Sequence, residues 1–314
     1  MLVAAISPYH LTTREPAAMA ALQLAEHAVT MLPTPFSPGL GVSRRDVGRA
    51  VHAAPEYLAF MESWSWAEPL FAEGVVGSVY AGEDAAADVR RACDRIDDDD
   101  RYGPLRPLMR RALFEDEAAY LRTIARDVLK AGPDPGVSIP VAAGLDAFAQ
   151  RHGLVPIRPE ASSLAQRAER RLATDLFALS LPVLLQASAE RVLLARALLA
   201  DEAHELGLAL LEAIDAGGPV DAARAAADRF ASAFDRERDH LLAPPGRDEL
   251  DEVRTVPGTV TLRAVSSPAD AVLRSSAEAA ASIQRRAGGD QRDPGREPRH
   301  ASLIVKVVGR RARG

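Results

Sequence analysis

Ser188–Gly218, SAERVLLARALLADEAHELGLALLEAIDAGG, is the most legible stretch of the chain, and the reading of the fold starts there. At about 100° per residue, Val192, Ala195, Leu199, Ala203, Leu206, Leu210 and Ile214 gather on one stripe, the signature of a helix that buries one face. Asp201, Glu202, His204, Glu205, Glu212 and Asp215 fall on the other side. Gly217 and Gly218 favour a left-handed stop and Pro219 opens the next helix, so residues 219–242 fold back as its neighbour.

Working outward, residues 163–187 read as a partner helix kinked by Pro182. Thr12 and Glu15 have capping-box spacing for a helix running to about Met31. Ser43 caps a short helix, and Pro55 opens another through Tyr57, Phe60 and Trp64. Further helices are expected up to the acidic run Asp97–Asp100, over Pro104–Ala131 and over Ile139–His152, followed by a Pro-containing connector at 153–162. The expected fold is therefore mainly α: an all-α, bundle-like body spanning about 12–245.

Strand grammar appears only at the chain ends. Leu2–Ile6 is a short apolar run, and Glu252–Val256, Thr259–Val265 and Leu303–Val308 carry the β-branched residues that suit strands. With a helix at 268–286, the segment of about 251–310 has the length of a parallel strand–helix–strand unit. Paired with residues 2–6, it would make a small, partly parallel sheet of two to four strands, so that residues 1–314 form a single domain. Gly288–His300 has no apolar anchor and reads as a flexible loop.

Composition narrows the function classes. All but Lys130 and Lys306 of the 38 basic residues are Arg, which together with heavy Ala and Asp usage suggests GC-rich coding. A net charge of −6 argues against a nucleic-acid binder, which needs a basic surplus. Cys93 stands alone, so a disulfide framework or cysteine metal site is not expected. The first residues lack a basic, signal-like start, and the longest uncharged run, Leu176–Ala189, is too short for a membrane span, which points to a cytoplasmic protein without membrane contact.

No GxSxG elbow, phosphate loop, GxGxxG or HExxH is present, so the first expectation is a binding or scaffold role for a protein partner or a small anionic ligand, with no cofactor specified. A second expectation is a dispersed catalytic site at strand ends: Ser7, His10 and Arg14 after the first strand and Ser267 after a later one, where parallel sheets bind ligands. A third is a metal-binding bundle. Asp201-x-x-His204 and Glu237-x-x-His240 have the i, i+3 spacing of bundle ligands, and Glu26 and Glu117 fall on apolar helix stripes where a charge needs a partner.

Overall fold

Leu2–Ile6 does form a strand, but it lies in the middle of the molecule. The computed structural model describes residues 1–34, 43–78, 82–99, 106, 109–129, 134–159, 175–215, 219–243, 253–266 and 301–310. Their strands are β1 (Val3–Ile6), β2 (His27–Thr30), β3 (Val76–Ser78), β4 (Val155–Pro159), β5 (Asp175–Gln186), β6 (Val256–Ser266) and β7 (Ala301–Arg310). All belong to one seven-stranded mixed sheet in the order β3-β2-β1-β4-β7-β6-β5. This overturns the all-α, bundle-like expectation and its small sheet at the chain ends. Helices hold 61% and strands 21% of the described residues, yet it is the sheet that sets the layers.

The parallel part comprises β1, β2, β3, β4 and β7, while β6 runs antiparallel to both β7 and β5. The expected parallel unit at 251–310 is thus an antiparallel pair, with Leu262 opposite Val305 and Ser266 opposite Ala301. Strand β1 pairs with β2 and β4 instead. The expected helix at 268–286 and loop at 288–300 lie outside the described residues.

Where strands replaced expected helices, the local chemistry explains it. In β5, Phe177, Leu179 and Leu181 are buried while Ala178 and Ser180 are exposed, a period of two rather than 3.6, and from Leu181 to Leu185 every residue is buried. Pro182 is tolerated because β5 is an edge strand, where a missing N–H leaves no ladder broken. The expected helix from Thr12 to Met31 divides into α1 (Pro8–Thr12), α2 (Pro16–Leu24) and β2. Glu15, the N-cap of α2, makes no side-chain cap bond, and the Thr12 hydroxyl instead donates to the Pro8 carbonyl and accepts from Trp64 Nε1. Ser43 does cap α3 (Arg44–Ala53), in a reciprocal box with Asp46.

Helix α2, PAAMAALQL, is apolar all round and buried from Ala17 to Leu24, as a helix enclosed on every side must be. It packs against β1, β2, β4, β7 and also β5 at the far edge, so the sheet curls around it. Gln23 fastens that curl. Its side-chain amide donates from Nε2 to the Leu184 carbonyl at 2.9 Å and accepts the Leu184 N–H at 2.8 Å, as a neighbouring strand would. The stretch from Ser188 to Asp215 is two helices, α9 (Ala189–Leu198) and α10 (Ala200–Asp215), interrupted at Leu199. Arg196 of α9 donates to the carbonyls of Leu22, Ala25 and Glu26, satisfying the carboxyl end of α2. Helix α11 (Val220–Arg236) packs back on α10 as expected, followed by the short α12 (Arg238–Leu242).

The connection from β2 to β3 carries α3, α4 (Glu56–Glu62) and α5 (Glu68–Ala72). That from β3 to β4 carries α6 (Gly82–Asp98), α7 (Glu117–Val128) and α8 (Pro135–His152). The chain adds β2 and β3 on one side of β1 and then crosses to the other side for β4. Right-handed crossovers in opposite directions place α2 on one face and the helices of the β3–β4 connection on the other. Among the described residues no helix is long and apolar enough to cross a membrane.

Candidate functional site

The reversal of strand order falls between β1 and β4, and this is where open parallel sheets leave a crevice beyond the carboxyl ends of their strands. Here the two strands separate. β4 pairs with β1 only through Val155 and Pro156, then with β7 through Ile157, Arg158 and Pro159. Pro156 has no N–H with which to continue the first ladder. Ser7, Tyr9 and His10 follow β1 at this edge, Thr30 and Ser78 end β2 and β3, and Arg158 stands on β4.

His10 is the most perturbed base at this edge. Its side chain is only 14% exposed, and burial, followed by the nearby Arg158 cation, lowers its pKa to about 4. Nε2 lies 3.7 Å from Glu15 Oε2, whereas Nδ1 is buried with no hydrogen-bond partner. Burial also raises the Glu15 carboxyl above its usual range. Facing His10 from β4, Arg158 places Nη1 3.0 Å from Asp146 Oδ2 of α8, and Ser302 on β7 donates to Asp146 Oδ1 at 3.4 Å. Burial holds the Asp146 carboxyl above its usual range even against the Arg158 and Arg95 charges. Arg158 Nε remains buried and unpaired.

A second polar group links α1 to the helices that follow β3. The Tyr9 hydroxyl donates to Asp127 Oδ2 at 2.9 Å, and Asp127 Oδ1 accepts the Asp134 N–H at 2.6 Å, tying α1 to α7 and the start of α8. The Ser78 hydroxyl at the end of β3 and the Tyr120 hydroxyl on α7 are buried without a hydrogen-bond partner. Tyr120 feels the charge of Asp88 on α6, which is itself paired with Arg91 and Arg151.

The expected catalytic residues are thus divided. Ser7 and His10 stand at the crevice, Ser7 as the buried N-cap of α1 without a side-chain cap bond. Arg14 adopts a positive φ of 51° and lies over the Trp66 ring, 4.5 Å from its centroid. Ser267 lies outside the described residues, and Ser266 before it is opposite Ala301, the first residue of β7, so β6 ends at the other edge of the sheet. Helix α1 is only five residues long and its His10 and Leu11 amides are already bonded to the Ser7 carbonyl, so it offers little to an anion.

The expected metal ligands are not brought together as one set. Glu26, Asp201 and His204 line a cleft of about 330 Å³ beside Leu2, at the amino ends of the strands, with His204 Nδ1 4.0 Å from Glu26 Oε2. Glu117 lies 3.8 Å from Arg49, and Glu237 pairs with His240 at 3.1 Å. Among the described residues no group of three or more His, Cys, Asp or Glu side chains is arranged to hold a metal ion. Cys93 is buried, which pushes its thiol up to about 11.

Sequence reasoning reached Ser7 and His10 but missed Arg158, Asp146, Ser78 and Tyr120. The signal for Arg158 was available in Val155-Pro-Ile-Arg-Pro159. Read as a strand, it puts a lone Arg beside the end of β1. Comparison of the chain with protein-family models, with curated proteins and with solved structures gives no match.

Proposed function

We propose that the protein binds a small polar molecule in the crevice between the carboxyl ends of β1 and β4. The observation that carries this reading is a pair of buried polar atoms without a hydrogen-bond partner, His10 Nδ1 just after β1 and Arg158 Nε on β4, with the Arg158 charge near enough to bear on His10. Leaving such an atom without a partner costs about 1–3 kcal/mol. The cost is recovered if the partner arrives with a ligand. The strand reversal supplies the location that ligands favour in such sheets.

A thermal-shift panel of sugars, polyols, carboxylates and phosphates tests the reading on the full chain, alongside His10→Phe and Arg158→Lys. The expected result is at least one compound that raises the melting temperature of the parent protein and leaves both folded variants unmoved. No stabilising compound, or equal stabilisation of all three proteins, would overturn it.

A further inference from the structure

We infer that the cleft of about 330 Å³ at the amino ends of the strands is a second binding site, and that it takes a small primary ammonium carrying a short aliphatic chain. Its volume falls at the lower end of the range for small-molecule sites. The inference stands apart from the crevice reading and does not depend on it.

The walls of the cleft are fixed by backbone contacts. Glu26 is held on both sides of its side chain, its N–H donating to the Leu2 carbonyl at 2.9 Å and its carbonyl accepting from Arg196 Nη2 at 2.8 Å. Helix α10 comes close to the start of β1 at Gly207, where a Cβ would stand only 3.1 Å from the Leu2 Cβ. Counting back from Gly207 in steps of three, His204 and Asp201 lie on the same stripe of α10 and line the cleft with it.

The charges in this cleft do not balance. Glu26 and Asp201 bring two carboxylates, whereas Arg196, the guanidinium among the lining residues, donates to the carbonyls of Leu22, Ala25 and Glu26 at the negative end of α2. Glu26 Oε2 is buried without a hydrogen-bond partner, and His204 Nδ1, at 4.0 Å, is beyond hydrogen-bond reach. A nitrogen seated beside both atoms would stand at ordinary hydrogen-bond distance from each.

The chemistry of the lining selects the ligand. A primary ammonium has one positive charge, three N–H donors and no lone pair, which suits two carboxylates and a bare ring nitrogen of His204. An anion would meet two like charges, and a neutral hydroxyl would leave the excess charge uncompensated. A metal ion would need a cage of ligands, and among the described residues no three His, Cys, Asp or Glu side chains are arranged to form one. Leu2, Leu24, Ala25 and Ala203 supply apolar surface for the short chain.

Calorimetric titration of the full chain at neutral pH tests the inference, with n-butylamine and 1,4-diaminobutane set against n-butanol and butyrate, which carry the same chain without the cation. At least one amine should bind saturably at one site per chain, and the alcohol and the carboxylate should not. Glu26→Gln keeps the shape and removes the charge, and should weaken amine binding about tenfold or more. Asp201→Asn, on an exposed position of α10, should weaken it in the same direction and carries the test if the first variant does not fold. Ala203→Leu leaves every charge in place but fills the cleft, and should abolish binding.

Absence of saturable amine binding overturns the inference. Equal binding by the parent and all three variants also overturns it, since the amine would then be attracted only to the acidic surface of a chain with a net charge of −6. So does butanol or butyrate binding as tightly as the amines. Saturable Zn²⁺ or Mn²⁺ binding that displaces the amine and is lost in Glu26→Gln would make the cleft a metal site instead. None of these outcomes bears on the crevice at the other end of the sheet.

Discussion

His10 carries a cost that can be read as a function of pH. An exposed histidine titrates near 6.5, whereas burial and the Arg158 charge bring His10 to about 4. Between those values the unfolded chain binds the extra proton and the folded one does not, so stability rises with pH across the interval. The contribution is complete above about pH 6.5 and is lost as the pH falls toward 4, a total of about 3 kcal/mol. Glu15 and Asp146 work in the opposite sense, since burial raises both carboxyls and makes protonation easier in the folded state. Urea melts at about pH 7 and about pH 5 should show the parent protein losing about 2 kcal/mol more than His10→Gln over that interval. Equal losses would mean that His10 is solvated. At this scale the sequence was partly legible, because Ser7 and His10 follow a recognisable apolar run. Arg158 was hidden by the two prolines around it, which argue against a strand until the ladder is seen to change partner at Pro156.

The same proline effect operates at the scale of elements. Pro182 was read as a kink in a helix, yet it sits in an edge strand whose burial alternates from Phe177 to Leu181 and is continuous from there to Leu185. Strands β1, β2 and β3 span only four, four and three residues, too short for periodicity to separate them from a turn of helix. Helices with a strong apolar stripe were legible: Val192, Leu199, Leu206, Leu210 and Ile214 are all buried, although the helix breaks at Leu199. What no periodicity could reveal is that α2 holds the far edge of the sheet through one polar residue. Gln23→Met keeps the volume but strands the Leu184 N–H and carbonyl, at about 1–3 kcal/mol for each buried group left unpaired. Chemical denaturation should therefore show a loss of about 2 kcal/mol or more. An unchanged midpoint would mean that water replaces Gln23 and that the curl does not depend on it.

At the scale of the whole molecule, the final strand is internal. β7 lies between β4 and β6, and Leu303, Ile304 and Val305 are buried there. Each such side chain is worth about 1.5–3 kcal/mol against a typical margin of about 5–15 kcal/mol, and loss of β7 would also open one side of β4, still paired with β1, and of β6, still paired with β5. A chain ending at Ser302 should therefore be insoluble or lack cooperative unfolding, whereas a soluble truncation with the parent melting temperature would remove β7 from the sheet. The sheet matters to function because it brings β1 and β4, far apart in sequence, to one crevice. The most direct test is an NMR pH titration of the His10 imidazole in the parent protein and in the paired variant Arg158→Gln with Asp146→Asn. The structure predicts a midpoint near 4 in the parent and a higher one in the variant, as the facing cation is removed from an imidazole that stays buried. A midpoint near 6.5 in both proteins would place His10 in solvent, away from β4, and would contradict the crevice itself.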